Sequence, residues 1–113
     1  MDRFVELLGL EAETNLTATL ELLQVVDRKY WVRPQFDVLH GRQYHGMGEI
    51  RFGGDGKSYR IFGYFGPNRM QFTMLSGHEK RDLKHEMDQA AKRRDFAQAN
   101  QGLLYGFTVE TGT

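Results

Sequence analysis

No cysteine occurs in the 113 residues, so a disulfide framework and a thiolate-ligated metal site are both excluded. The absence also fits a reducing compartment, and a cytoplasmic location is expected. Long apolar runs are missing as well. No stretch approaches the roughly 20 apolar residues needed to cross a bilayer. The opening Met1-Asp-Arg-Phe-Val-Glu-Leu-Leu8 is too short and too charged for a span or a signal peptide, so no membrane partner is expected. Proline is confined to Pro34 and Pro67. Repeats, low-complexity tracts and long linkers are absent too. In a chain this short a second core would be too small to hold together, so residues 1–113 should form a single domain.

Charge is present but unevenly placed. The formal net charge is zero, yet residues 1–27 carry Arg3 against six acids. Residues 28–94 carry fourteen lysines and arginines against seven acids. A segregation of this kind suggests a polyanion as partner for the middle of the chain.

Apolar spacing predicts the elements. Arg3 to Leu10 is a short helix candidate. A firmer helix spans about Glu13 to Asp27, with Leu16, Leu20 and Leu23 on one face and Thr14 or Asn15 as cap. Leu22 and Val25 widen its stripe, so it should be well covered. Residues 1–27 thus form an acidic helical hairpin. Lys29 to His40 is expected to be extended or irregular, anchored by Trp31, Phe36, Val38 and Leu39, with Pro34 opposing a helix at Arg33. A three-stranded antiparallel meander occupies 47–76, with turns at Gly53-Gly-Asp-Gly56 and Gly66-Pro67-Asn68. Ser76-Gly77 should end the sheet, and Ser76-x-x-Glu79 has the form of a capping box. A basic helix over 79–96 then turns Leu83, Met87 and Ala90/Ala91 inward. The tail, 97–113, contains Gly102 to Val109, an edge-strand candidate. The fold class is α+β.

Several chemistries find little support in the spacing. His40, His45, His78 and His85 match no metal-ligand pattern. Gly53-Gly-Asp-Gly56 joins two strands, not a strand and a helix, so it is a hairpin turn and not a phosphate loop. No serine sits in a nucleophile elbow. The remaining candidate is a sheet rimmed by cations. Arg51, Arg60 and Arg69 come from three successive strand segments, and Lys80-Arg81 follow the last of them. Guanidinium groups bind phosphate bidentately and can hold a developing phosphorane dianion, and a histidine or lysine can move protons. Arginines solvated or paired with Glu49 and Asp55 are the plainer alternative.

The ordered set Gly48-Glu-Ile-Arg51, Tyr59-Arg60-Ile61, Met74-Leu75, Lys80-Arg81 and Glu86-Met-x-x-Ala90-x-x-Arg93-Arg-Asp-Phe96 resembles the RelE/ParE superfamily of toxins, and most of all its HigB-like, phage-derived branch. Leu16 to Val26 and Pro34 to Leu39 extend the likeness upstream. The resemblance implies a RelE-like fold: two helices, a curled antiparallel sheet and a C-terminal helix. It implies a toxin of a type II toxin–antitoxin pair that cleaves mRNA on the ribosome by 2′-hydroxyl attack, without metal or cofactor. It also implies an antitoxin partner, often of helix-turn-helix type.

On this basis Arg60, His78, Lys80 and Arg81 are the expected catalytic residues. Arg51, Lys57, Arg69, Arg93 and Arg94 are the expected RNA-binding residues, and Asp95 and Phe96 match a site near the helix end. A non-catalytic interaction module of the same fold and a ParE-like gyrase inhibitor are the alternatives.

Overall fold

The computed structural model describes residues 2–100 and 107–111. Two helices, α1 (Asp2–Glu6) and α2 (Leu10–Val25), precede a short strand β1 (Phe36–Val38). The meander follows as β2 (Met47–Gly54), β3 (Lys57–Phe65) and β4 (Gln71–Glu79). Helix α3 (Lys84–Ala99) and a last strand β5 (Phe107–Glu110) complete the chain. The strands form one antiparallel sheet in the order β1-β2-β3-β4-β5, curled and open at both edges. The fold is therefore α+β, as expected. Two strands flank the meander: β1 lies within the segment expected to be extended or irregular. β5 falls in the edge-strand candidate, whose first residues, 102–106, lie outside the described set.

Alternation along the strands divides the sheet into two faces. Helices α1 and α2 cover one, where Ile50, Phe52, Tyr59, Ile61, Phe72, Met74 and Val109 pack with Leu16 and Leu23. Trp31, Phe36, Phe65 and Phe72 form an aromatic knot with centroids 5.1–5.7 Å apart, mostly edge-to-face or tilted. Such pairs add about 0.5–1.5 kcal/mol each beyond area burial. The Trp31 indole donates to the Leu23 carbonyl at 2.9 Å, satisfying an acceptor in the last turn of α2. The apolar stripe of α2 is narrower than expected: Leu22 and Val25 are 42% and 76% exposed, and Val38 is half exposed.

Helix α2 starts earlier than its composition suggests, and its cap comes from elsewhere in the chain. Gly9, not Thr14 or Asn15, holds the N-cap position and contributes no side chain. The Asp55 carboxylate at the β2–β3 hairpin tip accepts from the Ala12 N–H at 3.2 Å, and the Asn15 amide donates to the Gly53 carbonyl at 2.7 Å. The tip is a two-residue turn, Asp55-Gly56, with φ of 56° and 75°, the conformation that matches the twist of a hairpin. Gly54 lets the strand touch the helix: a Cβ there would lie 2.5 Å from Ala12 N and Cα, at a φ of 155°.

Helix α3 covers part of the other face. Leu83, Ala90, Ala91 and Ala97 are buried with Phe62, Tyr64 and Leu75, and Met87 packs at their edge. The capping box does not form. Strand β4 runs on through Ser76 and Gly77 to Glu79, and α3 begins at Lys84 behind Leu83. The strand carries a β-bulge and stays paired beyond it. Gly63 pairs with Met74, but Phe62 pairs with Ser76, so Leu75 is the extra residue. Ladder partners for Ser76 through Glu79 then lie on β3, which keeps the segment extended.

Gly54→Ala should cost about 2–4 kcal/mol of stability, since it adds both overlap and a strained backbone. Asp55→Ala should cost about 1 kcal/mol, with Asp55→Asn milder because an acceptor remains. Urea titrations of the three variants check this.

Candidate functional site

The bulge also decides which side chains meet on the face that α3 leaves open. Arg51 pairs with Arg60, and Arg60 with His78, so three cationic or titratable residues stand in one row across β2, β3 and β4. The neighbouring row is Glu49, Phe62 and Ser76. Side chains directly opposite in such ladders have Cβ atoms about 4.5–5.5 Å apart.

Two guanidinium groups share one carboxylate here. Glu49 Oε1 lies 3.7 Å from Arg60 Nε and 3.9 Å from Arg51 Nε. Arg60 is only 7% exposed and donates to the Tyr59 carbonyl at 2.9 Å. Burial, and then the like charge of Arg51, lower its pKa. Burial raises the Glu49 pKa against the opposing pull of Arg60 and Arg51. Arg51 and Arg60 both line an open groove of about 540 Å³ at the free edge of β2.

His78 is half-buried. Its Nε2 lies 2.9 Å from Ser76 Oγ, and its ring packs against Phe62 with centroids 5.5 Å apart. Burial lowers its pKa below the ordinary 6.5; Glu86 opposes this, while Arg81 and Arg93 reinforce it. Glu86 meets Arg81 at 3.8 Å through Oε1, and its Oε2 is buried with no hydrogen-bond partner among the described residues. Arg93 donates to the Leu75 carbonyl at 3.4 Å, and its side chain borders the same end of the sheet. Lys80 extends the ladder by donating its N–H to the Ser58 carbonyl at 2.7 Å, and its ammonium has no partner among the described residues.

The structure thus brings Arg51, Arg60, His78, Lys80, Arg81 and Arg93 to one end of one face. Four other expected residues are not with them, and a fifth is committed elsewhere. Lys57 alternates with Arg60 and lies with Tyr59 on the helix-covered face. Arg69 is not a strand residue: it sits in the turn before β4, with its carbonyl accepting from Arg28, roughly 17 Å or more along β3 from Arg60. Arg94 is buried and spent on structure, donating to the His45 and Gln43 carbonyls at 2.8 and 2.9 Å and pinning α3 to the loop before β2. Asp95 pairs with Arg94 at 3.0 Å. Asp95 and Phe96 stand roughly 14 Å along the helix axis from Glu86, too far to join His78.

Spacing alone missed Glu86 and Arg33. Glu86 follows Arg81 by five residues, which in hindsight signals a contact across the helix start. Arg33, bonded to Asp37 at 2.8 Å, borders the groove beside Arg51. Among the described residues no group of three or more His, Asp or Glu side chains is arranged to hold a metal ion, and no helix is long and apolar enough to cross a membrane. No known protein-family model, curated protein or solved structure matches the chain.

A depressed His78 pKa fixes a sign. The unfolded chain binds this proton more readily than the folded one, so neutral His78 contributes stability above about pH 6.5 that is lost as pH falls through its folded value. An NMR titration should place the His78 midpoint below 6.5, and Glu86→Gln should lower it further by removing the one opposing charge.

Proposed function

We propose that this chain is a ribonuclease toxin of the RelE-like, HigB-like kind, cutting mRNA on the ribosome and held in check by a cognate antitoxin. The observation that carries the proposal is the in-register row Arg51–Arg60–His78 on an open face. It sets two phosphate-binding forks beside a group able to take a proton at neutral pH. The charge segregation supports the same reading: the acidic helices cover one face, and Arg51, Arg60, Lys80, Arg81 and Arg93 stand at one end of the other.

The chemistry follows from these positions. With Nε2–H donated to Ser76 Oγ, the free lone pair of neutral His78 is on Nδ1 and removes the ribose 2′-hydroxyl proton. The 2′-oxygen attacks the adjacent phosphorus, and the P–O5′ bond breaks. Arg60 and Arg51 hold the extra negative charge of the pentacoordinate state, with Arg81 entering from the connection between β4 and α3. The Lys80 ammonium gives its proton to the departing 5′-oxygen. The products are a 2′,3′-cyclic phosphate and a 5′-hydroxyl. The heavy atoms all come from the RNA, the 5′-hydroxyl proton comes from Lys80, and the proton now on His78 returns to Lys80 through solvent.

Glu49 and Glu86 on the same face favour a second reading, in which this surface binds a nucleic acid or protein without cutting it. Induction in cells with mapping of mRNA ends separates the two. Cleavage should yield cyclic-phosphate ends, with His78→Ala and Arg60→Gln each lowering the rate about 10²- to 10⁴-fold. Wild-type activity in Arg60→Ala/Lys80→Ala would sink the ribonuclease reading. Toxicity without new RNA ends would instead turn attention to gyrase.

A further inference from the structure

The groove at the free edge of β2 lies beside the arginine row but is built largely from other parts of the chain. Strand β1 pairs only with Gly48 to Ile50, so the outer edge of β2 beyond that point faces the segment Arg33-Pro34-Gln35 and the flank of α2. Arg51 N–H donates to the Gln35 carbonyl at 2.8 Å and closes the floor. The space is about 540 Å³, within the range that holds small organic ligands.

Its chemistry is that of an anion site with polar readers. Arg33, Arg51 and Arg60 stand on its walls. Their acids are Asp37, bonded to Arg33, and Glu49, shared by the other two. Three guanidinium groups therefore meet two carboxylates, and one positive charge is left along this open groove. Gln35 and Ser58 have unpartnered side chains among the described residues, and Asn15 keeps its carbonyl oxygen free after donating to Gly53. A phosphate would supply the missing negative charge. The side-chain amides of Gln35 and Asn15 offer groups that hydrogen-bond to base edges.

We infer that this groove is a nucleotide subsite, holding one unpaired nucleotide of an RNA strand next to the phosphodiester on the arginine row. Its phosphate lies between Arg33 and Arg51, and its base faces Gln35 and Asn15. The inference rests on the RNA-directed reading of the neighbouring row. It adds a place where the strand crosses the sheet edge. A base already paired in a duplex would not fit a space sized for one nucleotide, so paired RNA is rejected there.

The test uses a short fluorescent 2′-O-methyl RNA, which lacks the attacking hydroxyl and so stays whole whether or not the protein is a nuclease. Arg33→Gln should weaken its binding about tenfold and flatten the log–log salt dependence by about 0.7, the value for one lost phosphate contact on a single strand. In the wild type, the side-chain amide signals of Gln35 and Asn15 should shift on adding the strand, a readout needing no variant. A hairpin duplex of the same sequence should bind more weakly. Equal binding by Arg33→Gln, unshifted amides, or equal affinity for the duplex overturns the inference. A wild-type protein that binds in this way but never cuts RNA defeats the ribonuclease reading and leaves the subsite standing. Cutting with Arg33-independent binding does the reverse.

Discussion

One extra residue in β4 sets the character of the whole open face. Had Gly63–Met74 been followed by regular pairing, Gly77 would stand opposite Arg60. Ser76 and His78 would then point under the helices. The bulge at Leu75 shifts the register by one, and in a structure of period two a shift of one exchanges faces. His78 thereby joins the arginines, while Leu75 keeps its place in the core under α3. Gly63 makes the shift sterically possible, since a Cβ there would overlap the Phe72 ring and the Thr73 carbonyl.

The second constraint is electrostatic. Partly buried guanidinium groups need counter-charge, and this face provides less than one carboxylate per arginine. Glu49 holds the pair together loosely, at distances longer than a hydrogen bond. Such an arrangement leaves the Arg51 fork able to take a better partner with two oxygens in the right plane, while Arg60, buried and donating to the Tyr59 carbonyl, is already partly engaged. Arg94 is the contrast within the same molecule: three of its donors are engaged at 2.8–3.0 Å, and it works as a strut.

Much of this architecture was legible in the amino-acid order. The alternation Glu49-Ile-Arg-Phe52 and Tyr59-Arg-Ile-Phe62 placed the arginines on one face and the aliphatic residues on the other, because strand period is robust to context. Leu83, Met87 and Ala90 announced the buried side of α3. What escaped was non-local. A bulge leaves no composition signature when its residue is Leu75, and Ser76-x-x-Glu79 imitates a helix start. Arg94 carries the same label as Arg93 in a basic run, and only the approach of the His45 loop distinguishes them. Asp55 reads as a turn residue, and its second task at the head of α2 depends on a contact 43 positions away.

That last contact has a mechanical consequence. The hairpin β2–β3 is a stiff twisted ribbon, with Arg51 and Arg60 a few residues below its tip and α2 bolted to the tip itself. A push on the acidic, outward side of α2 would be transmitted down that ribbon as a tilt. The spacing between the two guanidinium forks and the histidine would change without anything touching them. Helix α2 is thus tied to the strands that carry the arginines, and a partner gripping it from outside would be joined through that tie to the opposite side of the sheet.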